Sequence, residues 1–445
     1  MGRSRTKVGA GLPHGDVIVA VCGAIVAITC AASMDSTTEP VVASARPPPA
    51  EAAPVARVPA AASRPAPPPT QFQAPSASPA EPAPPPSHVE LPHLRSALAA
   101  LASGTATESV RVAWLGDSHT YADFWPHRLR QALQQKYGAG GPGYVLLGIK
   151  PYRHGQVRVK LEGKWRREPS SPSSGAKQLD GIFGLAGQRA VPLSADATAS
   201  AELFHGKAEQ RLRWTLLYRL PAGAALSVQV GTSASKRLTS GSAASGSPIL
   251  RHTLESDATQ RFTVRGAGGA PEVYGVVIET VTPGVVVDSL GVNGARAGTA
   301  LVWDAPSFGA ELSARRPALV VLAYGTNEAA SALTGARVTQ QLQALVKRVR
   351  DAVPGADCVL IGPTDMAEEG GGSRPRVAEI DAAVAAGARN ASCGFVSAYG
   401  LMGGEGAFSR WQAESPALAS TDRVHLTAKG YDKLGDLVLE RLALP

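Results

Sequence analysis

The sequence has no apolar run long enough to cross a bilayer. The stretch Val17 to Ala32 holds sixteen residues. At 1.5 Å per residue it reaches roughly 24 Å, against a hydrocarbon core of ~30 Å. There is no continuous basic helix, no zinc-finger spacing and no basic stripe interleaved with aromatics, so no nucleic-acid partner is expected despite a formal net charge of +8. No glycine-rich phosphate loop follows a strand, and no residue set has metal-ligand spacing, so neither a cofactor nor a metal is expected. Cysteine is scarce, with four in 445 residues. Cys22 and Cys30 lie in the apolar stretch, which leaves Cys358 and Cys393 as the pair in the globular part. Each stands at the start of a predicted strand, and one disulfide or two buried thiols both remain open.

Arg3, Arg5 and Lys7, the apolar stretch and the small residues Thr29 to Ser33 fit a signal sequence or a short N-terminal membrane anchor over residues 1–33. Residues 34–90 are dominated by Ala and Pro, with runs such as PPPA and PAPPPT. They cannot form a core and read as a disordered, extended linker, useful as a reach between a membrane and a wall. Export across a bacterial inner membrane is therefore expected. Seven basic and seven acidic residues precede Val110, so the whole positive excess belongs to the folded part. That excess suits an anionic polymer and equally suits plain solubility.

Val110 to Thr120, VRVAWLGDSHT, is apolar up to a break at Gly116, which predicts a buried strand ending in a tight turn just before Ser118. A helix is predicted over Asp123 to Gln135, and the glycine-rich Tyr137 to Gly148 reads as a loop bordering the cleft. From Arg153 to Glu279 the texture changes to short alternating runs such as QVRVKLEGKW, RLRWTLLYRL and EVYGVVIET, with no helix of ordinary length. This predicts an inserted all-β, jelly-roll-like sandwich over 153–283. Strands then follow at Val285 to Leu290, Leu319 to Ala323, Val359 to Ile361 and Phe395 to Ser397. Helical patterns lie at Ser307 to Ser313, Val338 to Val353, Arg376 to Ala388 and Thr427 to Leu442. Continuous apolar strands alternating with helices make a parallel sheet covered on both faces. Residues 91–152 and 284–445 thus read as one α/β domain interrupted between its first and second strands.

Four points leave strand ends or a nearby loop, where open α/β sheets place their sites: Ser118, Gly294 in GVNGA, Asn327 in GTNE, and the pair Asp422 and His425 in TDRVHLT. A serine nucleophile needs a base of near-neutral pKa, and that histidine needs a carboxylate to hold its tautomer. Asp422 and His425 are three apart, so irregular chain can bring the carboxylate to Nδ1 while Nε2 faces Ser118. The N–H of Ser118, the N–H of Gly294 and the amide of Asn327 would stabilise a tetrahedral oxyanion. His119, Asp365 and Met366 are weaker candidates for contact with substrate. Trp165, Trp214 and Tyr218 in the insertion are candidate sugar platforms set against ordinary core aromatics.

GDSHT, GVNGA, GTNE and DRVH resemble blocks I, II, III and V of the SGNH (GDSL-like) hydrolases. The resemblance implies a flavodoxin-like three-layer α/β fold, with a triad of Ser118, Asp422 and His425 and an oxyanion hole of Ser118, Gly294 and Asn327. Longer stretches, GDSHTYADFWPHRLRQAL, YGAGGPGYV and WQAESPALASTDRVHLTAKGY, are similar to a narrower branch, the periplasmic peptidoglycan O-acetylesterases of Gram-negative bacteria. There the insert resembles a carbohydrate-binding module. What this implies is a monomeric exported serine esterase of the periplasm or cell envelope, anchored or free. It would remove O-acetyl groups from cell-wall polysaccharide, peptidoglycan foremost, through an acetyl-enzyme. An O-acetyltransferase on the same scaffold, with a sugar hydroxyl in place of water, is the nearest alternative. A non-catalytic glycan-binding protein is disfavoured by the complete set of catalytic residues.

Overall fold

The computed structural model describes residues 89–170 and 180–444. The expected signal or anchor, the linker through residue 88, Cys22 and Cys30 lie outside the described residues. Among the described residues no helix is long and apolar enough to cross a membrane.

Five short, apolar strands form the central sheet: β1 Val110–Gly116, β2 Val285–Gly291, β3 Leu319–Ala323, β4 Asp357–Ile361 and β5 Gly394–Val396. Their order is β2-β1-β3-β4-β5, and every neighbouring pair is parallel. This is the flavodoxin-like order, and its switch point falls between β1 and β3. Side chains of β1 alternate between two cores, as a strand buried on both faces requires. Val110, Val112 and Trp114 pack with Leu129, Leu133 and Leu434, whereas Ala113 and Leu115 join Leu312, Leu342 and Val346. The helices supplying these residues are α2 Trp125–Tyr137 and α6 Ala428–Leu442 on one face, and α3 Ala305–Arg315 and α5 Gly335–Ala352 on the other. The three-layer architecture read from the sequence is the one observed.

No helix interrupts the described part of Arg153 to Glu279. Two antiparallel sheets of seven and five strands face one another, and Trp214 of the larger sheet stacks on Phe262 of the smaller with ring centroids 5.8 Å apart. The larger sheet also recruits Gly143–Val145, which pairs with Glu272–Thr280. The glycine-rich loop therefore does not border the cleft. Gly140 donates to the Val285 carbonyl at the first residue of β2, the edge opposite Ser118. Gly141 has φ +106°, and a Cβ there would lie 2.6 Å from the Ile278 carbonyl, so glycine lets the two backbones touch.

Charged groups fasten the β-rich part to the sheet. Glu279 takes Arg111 of β1 at 2.8 Å and Arg315 of α3 at 2.9 Å, and Arg315 also pairs with Asp288 of β2. The helix predicted over Asp123 to Gln135 is present but starts two residues later, at Trp125, for a similar reason. Asp123 has φ +52° and is fully buried, with its carboxylate gripping both terminal nitrogens of Arg130 and the Gly155 N–H. Burial alone would raise its pKa, but Arg130 and His154 hold it well below the usual carboxylate range. A tertiary ion pair thus ends one helical turn, α1 Ser118–Tyr121, and α2 begins only at Trp125.

Cys358 and Cys393 are joined in a disulfide, with Cα atoms 5.1 Å apart. It links the start of β4 to the residue before β5, at the sheet edge away from Ser118. A closed loop of 35 residues corresponds to about 3–4 kcal/mol of unfolded-state entropy. The double variant C358S/C393S should lose about 3 kcal/mol in denaturant unfolding while retaining wild-type kcat. Non-reduced peptide mapping should show the two cysteines linked; free alkylatable thiols at both positions would reject the bridge.

Candidate active site

The register of the central sheet aligns the strand ends. Gly116 of β1 lies opposite Gly291 of β2 and Ala323 of β3. Ser118, Gly294 and Asn327 follow these positions by two, three and four residues, so all three emerge at one edge. Gly116 itself must lack a side chain. A Cβ there would meet the Thr120 hydroxyl at 2.2 Å and the Ala323 carbonyl at 2.8 Å.

Ser118 opens α1, and Asp117 caps that turn by accepting the His119 N–H at 3.0 Å. Ser289 of β2 donates to the Thr120 carbonyl at 2.9 Å, which fixes the turn against the sheet. Far along the chain, Ala419 bridges Leu426 and Ser420 donates its N–H to the His425 carbonyl, closing a tight loop around Asp422. Asp422 accepts four hydrogen bonds: from the N–H groups of Val424 and His425, from the Ser420 hydroxyl at 2.7 Å, and from His425 Nδ1 at 2.7 Å. Burial works against its charge, yet the His425 and Ser420 bonds hold its pKa well below the ordinary range. An ionised Asp422 fixes the Nδ1–H tautomer, so Nε2 is left as acceptor. Ser118 Oγ lies 2.8 Å from that nitrogen. The three predicted triad residues are thus in contact in the order Ser–His–Asp.

The Val292–Ala295 turn carries Gly294 at φ +73°. Asn327 is the second residue of the one-turn helix α4 Thr326–Ala329, and its Nδ2 donates to the Ala295 carbonyl at 2.9 Å. One amide N–H is used by that bond and the other is left for a ligand oxygen.

His119 does not line the cleft. It is buried, its Nδ1 lies 2.7 Å from the Tyr431 hydroxyl, and its ring backs onto His425 with centroids 5.1 Å apart. Burial, with His425 beside it, pushes its pKa down to about 3, so it is uncharged near neutrality. Asp365 accepts the Phe408 N–H at 2.8 Å near the start of the helix Ala407–Ala413, and Met366 is fully buried, so the capping role is the one realised. Trp214 and Tyr218 are core residues, whereas Trp165 is half-buried against the core and donates to the Glu162 and Thr198 carbonyls. Glu328, missed in the sequence, is fully buried beside Asn327. Its signal was the acidic residue three after Gly325, a half capping box.

The model of the GDSL-like lipase/acylhydrolase family matches residues 255–433. That span contains Gly294, Asn327, Asp422 and His425, while Ser118 lies on the far side of the insertion. No curated protein sequence gives a significant match. A solved peptidoglycan O-acetylesterase is similar in structure, with a TM-score of 0.66 at 25% identity, covering 79% of this chain and 95% of that one. The esterase EstA from Pseudoalteromonas sp. gives 0.28 at 18% identity, over 36% of this chain and 77% of that one. A family two carbohydrate esterase from Cellvibrio japonicus gives 0.25 at 8% identity, over 65% and 98%. By the family match over residues 255–433 and the first of these structures, the chain is similar to the SGNH (GDSL-like) hydrolases and has a fold similar to that of a peptidoglycan O-acetylesterase.

Proposed function

We propose that the chain is an exported serine esterase that removes O-acetyl groups from cell-wall polysaccharide, peptidoglycan foremost. Likeness to a peptidoglycan O-acetylesterase across 95% of that protein supports an ester-hydrolysing activity of this kind. The observation that carries the mechanism is the Ser118–His425–Asp422 chain of hydrogen bonds, 2.8 and 2.7 Å.

Ser118 Oγ attacks the acetyl carbonyl carbon while its proton passes to His425 Nε2. Asp422 stabilises the imidazolium without taking the proton. The carbonyl π electrons move onto oxygen, where the N–H groups of Ser118 and Gly294 and the amide of Asn327 stabilise the charge. Collapse breaks the bond to the sugar oxygen, which leaves with the proton from Nε2. Water then repeats the sequence, giving up a proton to His425, and acetate departs as Ser118 recovers its own. The side chains of His425 and Asp422 are each 29% exposed, so water can reach the acetyl-enzyme.

Beside α2 the β-rich insertion borders a crevice of about 310 Å³ lined by His127, Gln131, Gln156, His205 and Gln210. Burial pushes His127 down to about 4, so it is uncharged near neutrality, and the glutamines carry no charge. Such a surface suits sugar hydroxyls and N-acetyl groups better than ions. Gly141 and Pro142 also line it, so the crevice extends toward the sheet edge opposite Ser118, and binding there would anchor the polymer at a distance from the reacting acetyl group and raise turnover of polymer alone.

Acetylated peptidoglycan, acetylated xylan and a small aryl acetate should be offered in turn, with detection of both free and transferred acetyl. Free acetate, released fastest from peptidoglycan, is expected; transfer to a second sugar as the main product would sink the hydrolase reading. S118A should keep the fold and lose several orders of magnitude in kcat, and N327A should cost about 3–4 kcal/mol of transition-state stabilisation. Near wild-type turnover by S118A would refute the assignment. For the crevice, Q131A in α2 and Q210A in the insertion should lower kcat/KM on polymer and spare the aryl acetate; an unchanged ratio in both folded variants rules out glycan contact there.

A further inference from the structure

Glu328 is 0% exposed, among the most deeply buried charged side chains described. Its two oxygens serve two different loops. Oε1 accepts the Ala297 N–H at 2.7 Å, three residues past Gly294, and Oε2 accepts the Gly325 N–H at 3.0 Å, two residues before Asn327. We propose that Glu328 is a positioning residue that ties the Gly294 loop to the Asn327 loop and so sets the separation of two oxyanion donors. The inference rests on the serine-esterase reading.

The capping pattern accounts for half of this contact. A glutamate at the third helical position commonly reaches back to the N–H before its helix, and Oε2 does so at Gly325. The bond to Ala297 is different in kind, because it spans 31 residues and leaves the helix altogether. The two loops meet a second time where Asn327 donates to the Ala295 carbonyl. Glu328 and Asn327, adjacent in sequence, therefore clamp the same partner loop at Ala297 and Ala295.

A buried carboxylate is expensive unless something inside needs its charge. Burial pushes Glu328 up to about 7, and Asp117 pushes the same way, while the N–H groups of Ala297 and Gly325 favour the ionised form. An apolar residue here would leave both of those N–H groups buried without an acceptor. The return lies in geometry. A shift of about 1 Å in a group that meets the transition state can cost about 100-fold in rate. With Glu328 gone, the Asn327–Ala295 bond would be the one hydrogen bond left between the two loops among the described residues, and it belongs to the very amide that must stay aimed at the oxyanion.

The test is a mutant cycle on a small aryl acetate, with thermal unfolding of every variant. E328A, which loses both ties, should lower kcat about 100-fold with KM changed by less than about threefold, and E328Q, which keeps one acceptor oxygen, about 10-fold. In the N327A background, where the donor being placed is already absent, E328Q should cost at most about twofold. Should E328A not fold, E328Q decides by the same cycle. Wild-type kcat in folded E328Q overturns the proposal. So does an equal loss in both backgrounds, which marks a structural role. If N327A by itself keeps wild-type kcat, the oxyanion reading falls and this inference with it.

Discussion

Everything at the site depends on strand register. Because β1 pairs in parallel with both β2 and β3, Gly116, Gly291 and Ala323 end abreast, and three loops start from one line. Ser118, Gly294 and Asn327 then need only two to four residues each to converge. No long excursion has to be ordered, so the entropy of forming the site is largely met by forming the sheet. The fourth contribution, Asp422 and His425, arrives on a loop closed by its own bridge between Ala419 and Leu426. A one-residue slip of β1 would turn its side chains to the opposite faces and displace Ser118 along the edge.

Charge is handled inside this edge by two opposite strategies. Asp422 is kept ionised by four donors, which lets it orient His425 and, in the proposed mechanism, meet a developing imidazolium. His119, one residue past the nucleophile, is kept neutral by burial and lies against the Tyr431 hydroxyl, so the ring behind His425 adds no charge. A protonated neighbour there would oppose the proton transfer that His425 is proposed to make.

Much of the fold was legible because its strands are buried on both faces and so read as unbroken apolar runs; VRVAWLG, VVVDSL and LVVLA all became strands of the central sheet. The alternating runs of the insertion were equally legible, since each of its sheets has one buried face. The failures share a cause, which is contact between segments distant in sequence. Asp123 continues a helical pattern yet leaves the helix for Arg130 and Gly155. The glycines near Gly141 looked like a cleft loop, but they serve backbone contact at the far edge of the sheet. Trp214, for which the sequence leaves a sugar platform and a core aromatic both open, lies in the sandwich core, the ordinary role for such a residue. Ser118, Gly294, Asn327, Asp422 and His425 are legible as a candidate set because each stands at an element end, where a dull role is a poor explanation of all five together. Glu328 escaped because one of its two bonds is tertiary.

The central claim is that Ser118 is the nucleophile, and covalent labelling tests it most directly. The wild-type chain would be treated with an alkyl fluorophosphonate, digested and mapped while residual esterase activity is followed. One adduct on the peptide holding Ser118, growing in proportion to lost activity, is the predicted result. Complete inactivation with the label on another residue, or complete labelling of Ser118 with turnover unchanged, would contradict the account.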